Sequence, residues 1–296
     1  MNPTGESYRI SSGDYSAVVT QGGAALRSLT YAGRELTSGF AEDEIPDKCR
    51  GQHLMPWPNR IRDGRYTWHG EEHELALTEP KLGNAIHGLI RWQPWLCVEH
   101  TSDRLVMAAR ILAQSGYPWS LDLLVTYVVS ENGLRVTQAA HNIGSGVAPY
   151  AQGSHPYLAL PQGKVDDWTL TVPASTRVTS DERNLPTGTE SVDGTVFDFR
   201  QGRQIGTLKV DHCFTDLAFH DGRSSATLTD GTESVSLWWD AKQPWLMVFT
   251  DDGHEPMRRG VAIEPMTAPV DAFNSGQGVI ELAPGERFES AWGICR

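Results

Sequence analysis

The sequence predicts an all-β protein, a large antiparallel β-sandwich forming a single domain over residues 1–296. Three observations carry this prediction. Short stretches alternate apolar and polar residues with period two, as in "SATLTDGTESVSLWWD". Turn residues punctuate them, with Gly at 29 positions and Pro at 17, frequent enough to keep interrupting any helix. No useful window shows a 3.6-residue period. Many short strands with regular turns make a sandwich or barrel, and such domains run well beyond 200 residues as one unit.

Individual hairpins can be read directly. "DGRYTWHGEEHELAL" turns near His69 and Gly70, "LDLLVTYVVSENGLRVTQAAHN" turns around Glu131, Asn132 and Gly133, and "SATLTDGTESVSLWWD" turns at Asp230-Gly231. "HGEEH", from His69 to His73, fits the H-x-x-E-H zinc-peptidase pattern. That pattern needs a helix to set both rings on one face. With Gly70 inside it and alternating flanks, the stretch reads as a hairpin tip and no metal site is expected. His53 has no partner at ligand spacing.

Composition narrows the function. With 39% hydrophobic and 21% charged residues the chain is a folded protein, not a disordered one. A net charge of −12 argues against nucleic acid or an anionic membrane as partner, because both want a basic face. The acidic run "AEDEIPD" reads as a solvated loop. No apolar run is long enough to span a bilayer, and "MNPTGESYRI" has neither a basic nor an apolar leader region. Cys49, Cys97, Cys213 and Cys295 form no CxxC pair, so free thiols and a cytoplasmic location are expected.

One stretch does not fit a purely structural reading. In "GVAIEPMTAPVDAFNSG", Val261, Ala262 and Ile263 read as a buried strand that then delivers Glu264. A buried carboxylate is unfavourable unless it is paired or used. Alternation puts Val261 and Ile263 on one face and Ala262 and Glu264 on the other, which looks onto water or a groove. In "SHPYLAL", His155 and Tyr157 share a face. "NAIHGL" places His87 beside Gly88, "PWPNRIRDGRY" holds Asn59 and Arg60 after a rigid Trp-Pro segment, and "VDHCF" supplies Asp211. Singly, each has a plain reading: a core histidine, a surface arginine, an Asp-His turn. A histidine and a carboxylate facing each other over a groove would form an acid–base pair, with an arginine and an aspartate nearby to bind sugar hydroxyls. The ten tryptophans offer a floor for a sugar ring, although most belong to the core.

These motifs, in this order from about Gly51 to the C-terminus, resemble the aldose 1-epimerase (galactose mutarotase) family, in a bacterial branch. The resemblance implies the galactose mutarotase-like supersandwich fold. It implies that Glu264 is the base taking the anomeric hydroxyl proton and that His155 is the acid protonating the ring oxygen. His87 would be a second polar partner there. Arg60, Asp211, Tyr157 and Asn59 would hold the sugar. A small-molecule sugar is the implied partner, to a monomer or homodimer, with no metal or organic cofactor. Such chemistry needs Glu264 ionised and His155 able to donate, a charged pair that mutual attraction would favour. "HPYLAL" has Ala159 where familiar members carry Asn, and "EPM" replaces "ETQ", so galactose is not the only candidate. A sulfonated glucose is one such candidate; a hexose 6-phosphate would need extra basic groups, for which Arg62, Arg91, Arg258 and Arg259 are candidates, although a chain of net charge −12 offers no obvious cluster. A non-catalytic sugar-binding protein on the same scaffold would need no acid–base pair. A glycoside hydrolase would need two flanking carboxylates.

Overall fold

A computed structural model describes residues 2–253 and 257–296. Two antiparallel sheets share one core. The nine-stranded sheet runs Leu96–His100, Arg104–Ile111, Leu121–Ser130, Gly133–Asn142, Arg287–Cys295, Ser234–Asp240, Arg223–Thr229, Thr169–Thr171, Arg203–Gln204. Its strands show the expected alternation, buried at every second residue along Ser234–Asp240. The second sheet orders Pro186–Ser191, Ala174–Ser180, Asp211–Leu217, Trp245–Phe249, Val261–Met266, Gly153–Ser154 and His53–Leu54, with Tyr157–Leu158 also paired to Val261–Met266. A four-stranded sheet over the first 35 residues packs into the same core. The only α-helix among the described residues is a single turn, Ala272–Ser275.

The three predicted hairpins form, with His69 and Gly70 both at positive φ in the tight turn between Arg65–Trp68 and Glu71–Glu74. Within "HGEEH" the rings go separate ways: His69 stacks on Trp68, and His73 on Tyr66. His53 is a core histidine, bonded to Tyr127 Oη at 2.6 Å and Ser154 Oγ at 3.2 Å. The "VDHCF" segment departs from expectation. Asp211 and His212 shape no turn; they open the strand Asp211–Leu217, where Asp211 faces Phe249 and His212 faces Val248.

Central to the second sheet, Val261–Met266 is buried along its whole length because both of its faces are covered. Val261 and Ile263 join the inter-sheet core with Leu246 and Val248. Each such side chain contributes roughly 1.5–3 kcal/mol by burial. Glu264 lies across from Met247 and points out of the opposite face. The two neighbours should therefore respond oppositely to substitution. Ile263→Ala is expected to lose about 2–5 kcal/mol in urea unfolding, whereas Glu264→Gln should leave stability unchanged or raised; equal losses in both would mean that the two side chains share the core.

Candidate active site

The outer face of the second sheet carries a groove of about 390 Å³. Asn59, Arg60, His87, His155, Tyr157, Asp211 and Glu264, scattered over two hundred residues of sequence, all line it. Lys48, Cys49, Glu79, Asn184, Met247, Phe249 and Asp252 line it as well. No motif marked these. Lys48 and Cys49 come from a stretch with no recognisable pattern, and their signal is conformational: both hold positive φ, which side-chain-bearing residues rarely adopt. No tryptophan lines the groove among the described residues; the flat surfaces there are Tyr157 and Phe249. Trp95, Trp168, Trp239 and Trp292 are core residues.

At the floor, His155 Nε2 lies 3.2 Å from Glu264 Oε1. The two do not face each other across an open gap; they touch. Both are buried, Glu264 at only 2% exposure. Glu264 Oε2 and His155 Nδ1 are buried with no protein side-chain or backbone partner among the described residues, so the dyad has unused polar capacity. Burial raises the Glu264 carboxyl well above the usual range, the nearby Asp211 charge adds to this, and Arg60 opposes it. Burial likewise depresses His155 to about 3, with the Arg50 charge working in the same direction. Both groups are thus driven toward their neutral forms. Burial therefore favours a resting pair with the proton on Glu264 and His155 neutral, and works against the charged pair that mutual attraction alone would favour.

His87 follows Asn84–Ile86, a strand paired with Arg60–Arg62. The backbone N–H of Asn59 donates to His87 Nδ1 at 3.1 Å, and the His87 N–H donates to the Asn59 carbonyl at 2.9 Å. Since Nδ1 accepts, the neutral ring carries its proton on Nε2. Burial keeps the ring neutral, and the Arg91 and Arg60 charges reinforce this. The ring meets that of His155 edge-on at 5.5 Å. Gly88 allows the close approach that seats it, because a Cβ there would lie 1.9 Å from the Met55 carbonyl oxygen.

Arg60 is buried, not a surface residue. Glu79 grips it through Nε at 2.8 Å and Nη2 at 2.9 Å, and Asn84 Nδ2 donates to the same carboxylate. Asn184 donates to Asp211 Oδ2 at 3.2 Å. Burial raises Asp211, and Arg60 opposes that shift. The groove thus combines a buried carboxyl–imidazole contact, a neutral imidazole donor and a set of fixed hydrogen-bonding groups. That constellation can move protons between oxygen atoms of a small polyhydroxylated molecule.

The comparisons with known proteins bear on the family and the fold. Residues 6–294 match the family model described as aldose 1-epimerase. The chain belongs to the aldose 1-epimerase family. The match begins near the N-terminus and so takes in the first sheet, which the motifs did not reach. The chain is 34% identical to the uncharacterized protein YihR of Escherichia coli, over 97% of this chain and 92% of that one. It is 28% identical to the Escherichia coli aldose 1-epimerase, covering 81% and 78% of the two chains. A GalM/aldose epimerase homologue from C. elegans superposes with a TM-score of 0.86 at 20% identity, over 98% of each chain, which shows the shared fold.

Three buried histidines, His53 and His155 at about 3 and His87 well below its usual value, tie stability to pH. Unfolding frees each to bind a proton near 6.5, so the unfolded state holds more protons between that value and the folded one. Stability should fall as pH drops below about 6.5, by about 1.4 kcal/mol per pH unit for each histidine. Glu264, with its raised folded value, works in the opposite sense, losing stability as pH rises above the ordinary carboxylate range. Melting temperatures between pH 4.5 and 7.5 check this, and a flat curve would contradict neutral burial of the three rings.

Proposed function

We propose that this chain is a cytoplasmic aldose 1-epimerase that interconverts the α and β anomers of a free aldohexose. The observation that carries the reading is the buried contact between His155 and Glu264 at 3.2 Å on the floor of a polar groove. One shared proton suffices for the reaction. Transfer from Glu264 to His155 along their contact gives the carboxylate–imidazolium form. Glu264 then takes the anomeric hydroxyl proton while His155 protonates the ring oxygen, and the C1–O5 bond breaks to the free aldehyde. The dyad is returned to neutral, C1 turns about the C1–C2 bond, and the reverse transfers close the ring on the other face. No proton need be exchanged with solvent. His87, with its proton on Nε2, supplies a further donor near the ring oxygen, and Arg60, Asp211, Asn59 and Tyr157 orient the hydroxyls. Unbridged Cys49, Cys97, Cys213 and Cys295 fit a reducing compartment.

The groove supports a neutral sugar over a phosphate. Arg62, Arg91, Arg258 and Arg259 are not among its lining residues. Arg62 pairs with Asp271, Arg258 with Asp166 and Asp252, Arg259 with Asp47, and Arg91 donates to Cys49 Sγ. A sugar bearing a charged group at C6, a phosphate or a sulfonate, is the second reading; it rests on Lys48, which lines the groove wall while its Nζ pairs with Asp251 at 2.9 Å.

Polarimetry of freshly dissolved α-D-glucose and α-D-galactose tests the reading. The protein should speed decay to the same final rotation, and Glu264→Gln and His155→Gln should each lose about 100-fold or more in kcat. Wild-type rates in Glu264→Gln would rule out its role as base. Acceleration confined to the 6-phosphate or 6-sulfonate would favour the second reading. Tight sugar binding with no acceleration would make the chain a binding protein.

A further inference from the structure

Arg50 touches no groove surface, yet it lies one ring away from the dyad. Its guanidinium carbon sits 4.0 Å from the centre of the Tyr157 ring. That ring stacks on His155 with centres 5.1 Å apart and planes 16° from parallel. Arg50 is 1% exposed and every arm of its fork is held. Nε donates to Asp47 at 2.9 Å, Nη1 to Ser38 Oγ at 3.1 Å, and Nη2 to both Asp251 oxygens at 3.1 and 3.2 Å. Lys48 Nζ also donates to Asp251, and the Tyr157 hydroxyl donates to the Lys48 carbonyl at 2.9 Å. The backbone closes the unit, because Gly51 N–H donates to the His155 carbonyl and His155 N–H to that of Gln52.

The segment that delivers Arg50 is conformationally committed. Lys48, Cys49 and Gly51 all have positive φ, and a Cβ on Gly51 would lie 2.1 Å from the Leu26 carbonyl oxygen. A backbone held this way needs surroundings that over-determine it. A flat, fully bonded cation against an aromatic face that in turn covers an imidazole has two effects. It fixes the tilt of the rings. It also sets a positive charge close to where an imidazolium would form, making that imidazolium a stronger acid.

We propose that Arg50 is a positioning residue for His155, acting through the Tyr157 ring to fix the imidazole's orientation and to hold a positive charge behind it. This extends the reading of His155 as the acid of the dyad. The other groups facing His155 are Glu264, His87, Tyr157 and Arg91, with Asp251 and Lys48 behind Arg50. Of these, Arg91 adds to the effect of Arg50, while Glu264 opposes it when ionised.

The test is a ¹⁵N measurement of the His155 ring in sugar-free protein at pH 5, assigned by difference with His155→Gln. Arg50→Met should raise the protonated fraction about tenfold over wild type. Arg50→Lys, which keeps the charge, should stay within about twofold. If Arg50→Met does not fold, Arg50→Met/Asp251→Asn removes the buried pair as a whole and should still show a rise. An unchanged His155 fraction in a folded variant lacking the Arg50 charge would overturn the proposal and leave Arg50 a scaffold residue. Because no sugar is present, this outcome is independent of mutarotation. In protein that does accelerate mutarotation, the acidic limb of kcat should move up by about one pH unit, with KM nearly unchanged.

Discussion

The contact between His155 and Glu264 is the constraint around which this fold is arranged. Two ionisable groups are removed from water and brought together at 3.2 Å. Burial penalises every charged form of such a pair, so it is tolerable when it carries one proton and is close to neutral. That requirement explains why the carboxylate sits on a strand buried on both faces, where it cannot swing to solvent. It also explains why the imidazole is held by backbone bonds to Gly51 and Gln52 and by the Tyr157 ring.

Around the dyad the charges are graded. In the groove, Arg60 is bound bidentately by Glu79, so its charge is fixed in direction and largely compensated. Behind the groove, Arg50, Lys48 and Asp251 form a buried network, with Asp251 itself fully buried. Buried ion pairs contribute little net stability compared with apolar packing of equal volume. What they supply here is fixed geometry and a fixed field behind the groove.

The sheet behind the dyad provides the rigidity. Val261 and Ile263 anchor the strand in the inter-sheet core while Glu264, one residue on, faces the groove. Period-two geometry links the two: the side chains that stabilise the strand also fix where the carboxylate points. Groove residues from the connecting segments are fixed by other means. The paired bonds between Asn59 and His87, and the positive φ of both, tie two loops together so that the His87 proton is carried on Nε2.

The sequence alone determined the fold class, the main hairpins and the one carboxylate, Glu264, that breaks an apolar strand. These are local properties: alternation reports which face of a strand is buried, turn residues report where it reverses, and Glu264 after Val261-Ala262-Ile263 violates the apolar pattern in a way that marks use. The ordered motifs carried the rest of the site as resemblance. Only the tertiary structure decided that the two groups touch, that both are buried and so pushed toward their neutral forms, that Asp211 begins a strand, and that Arg50, Lys48 and Glu79 lie around the groove. The reason is physical. Proton affinity depends on dielectric and on charges near in space, and a cation stacked behind an aromatic ring leaves no periodic trace in the chain.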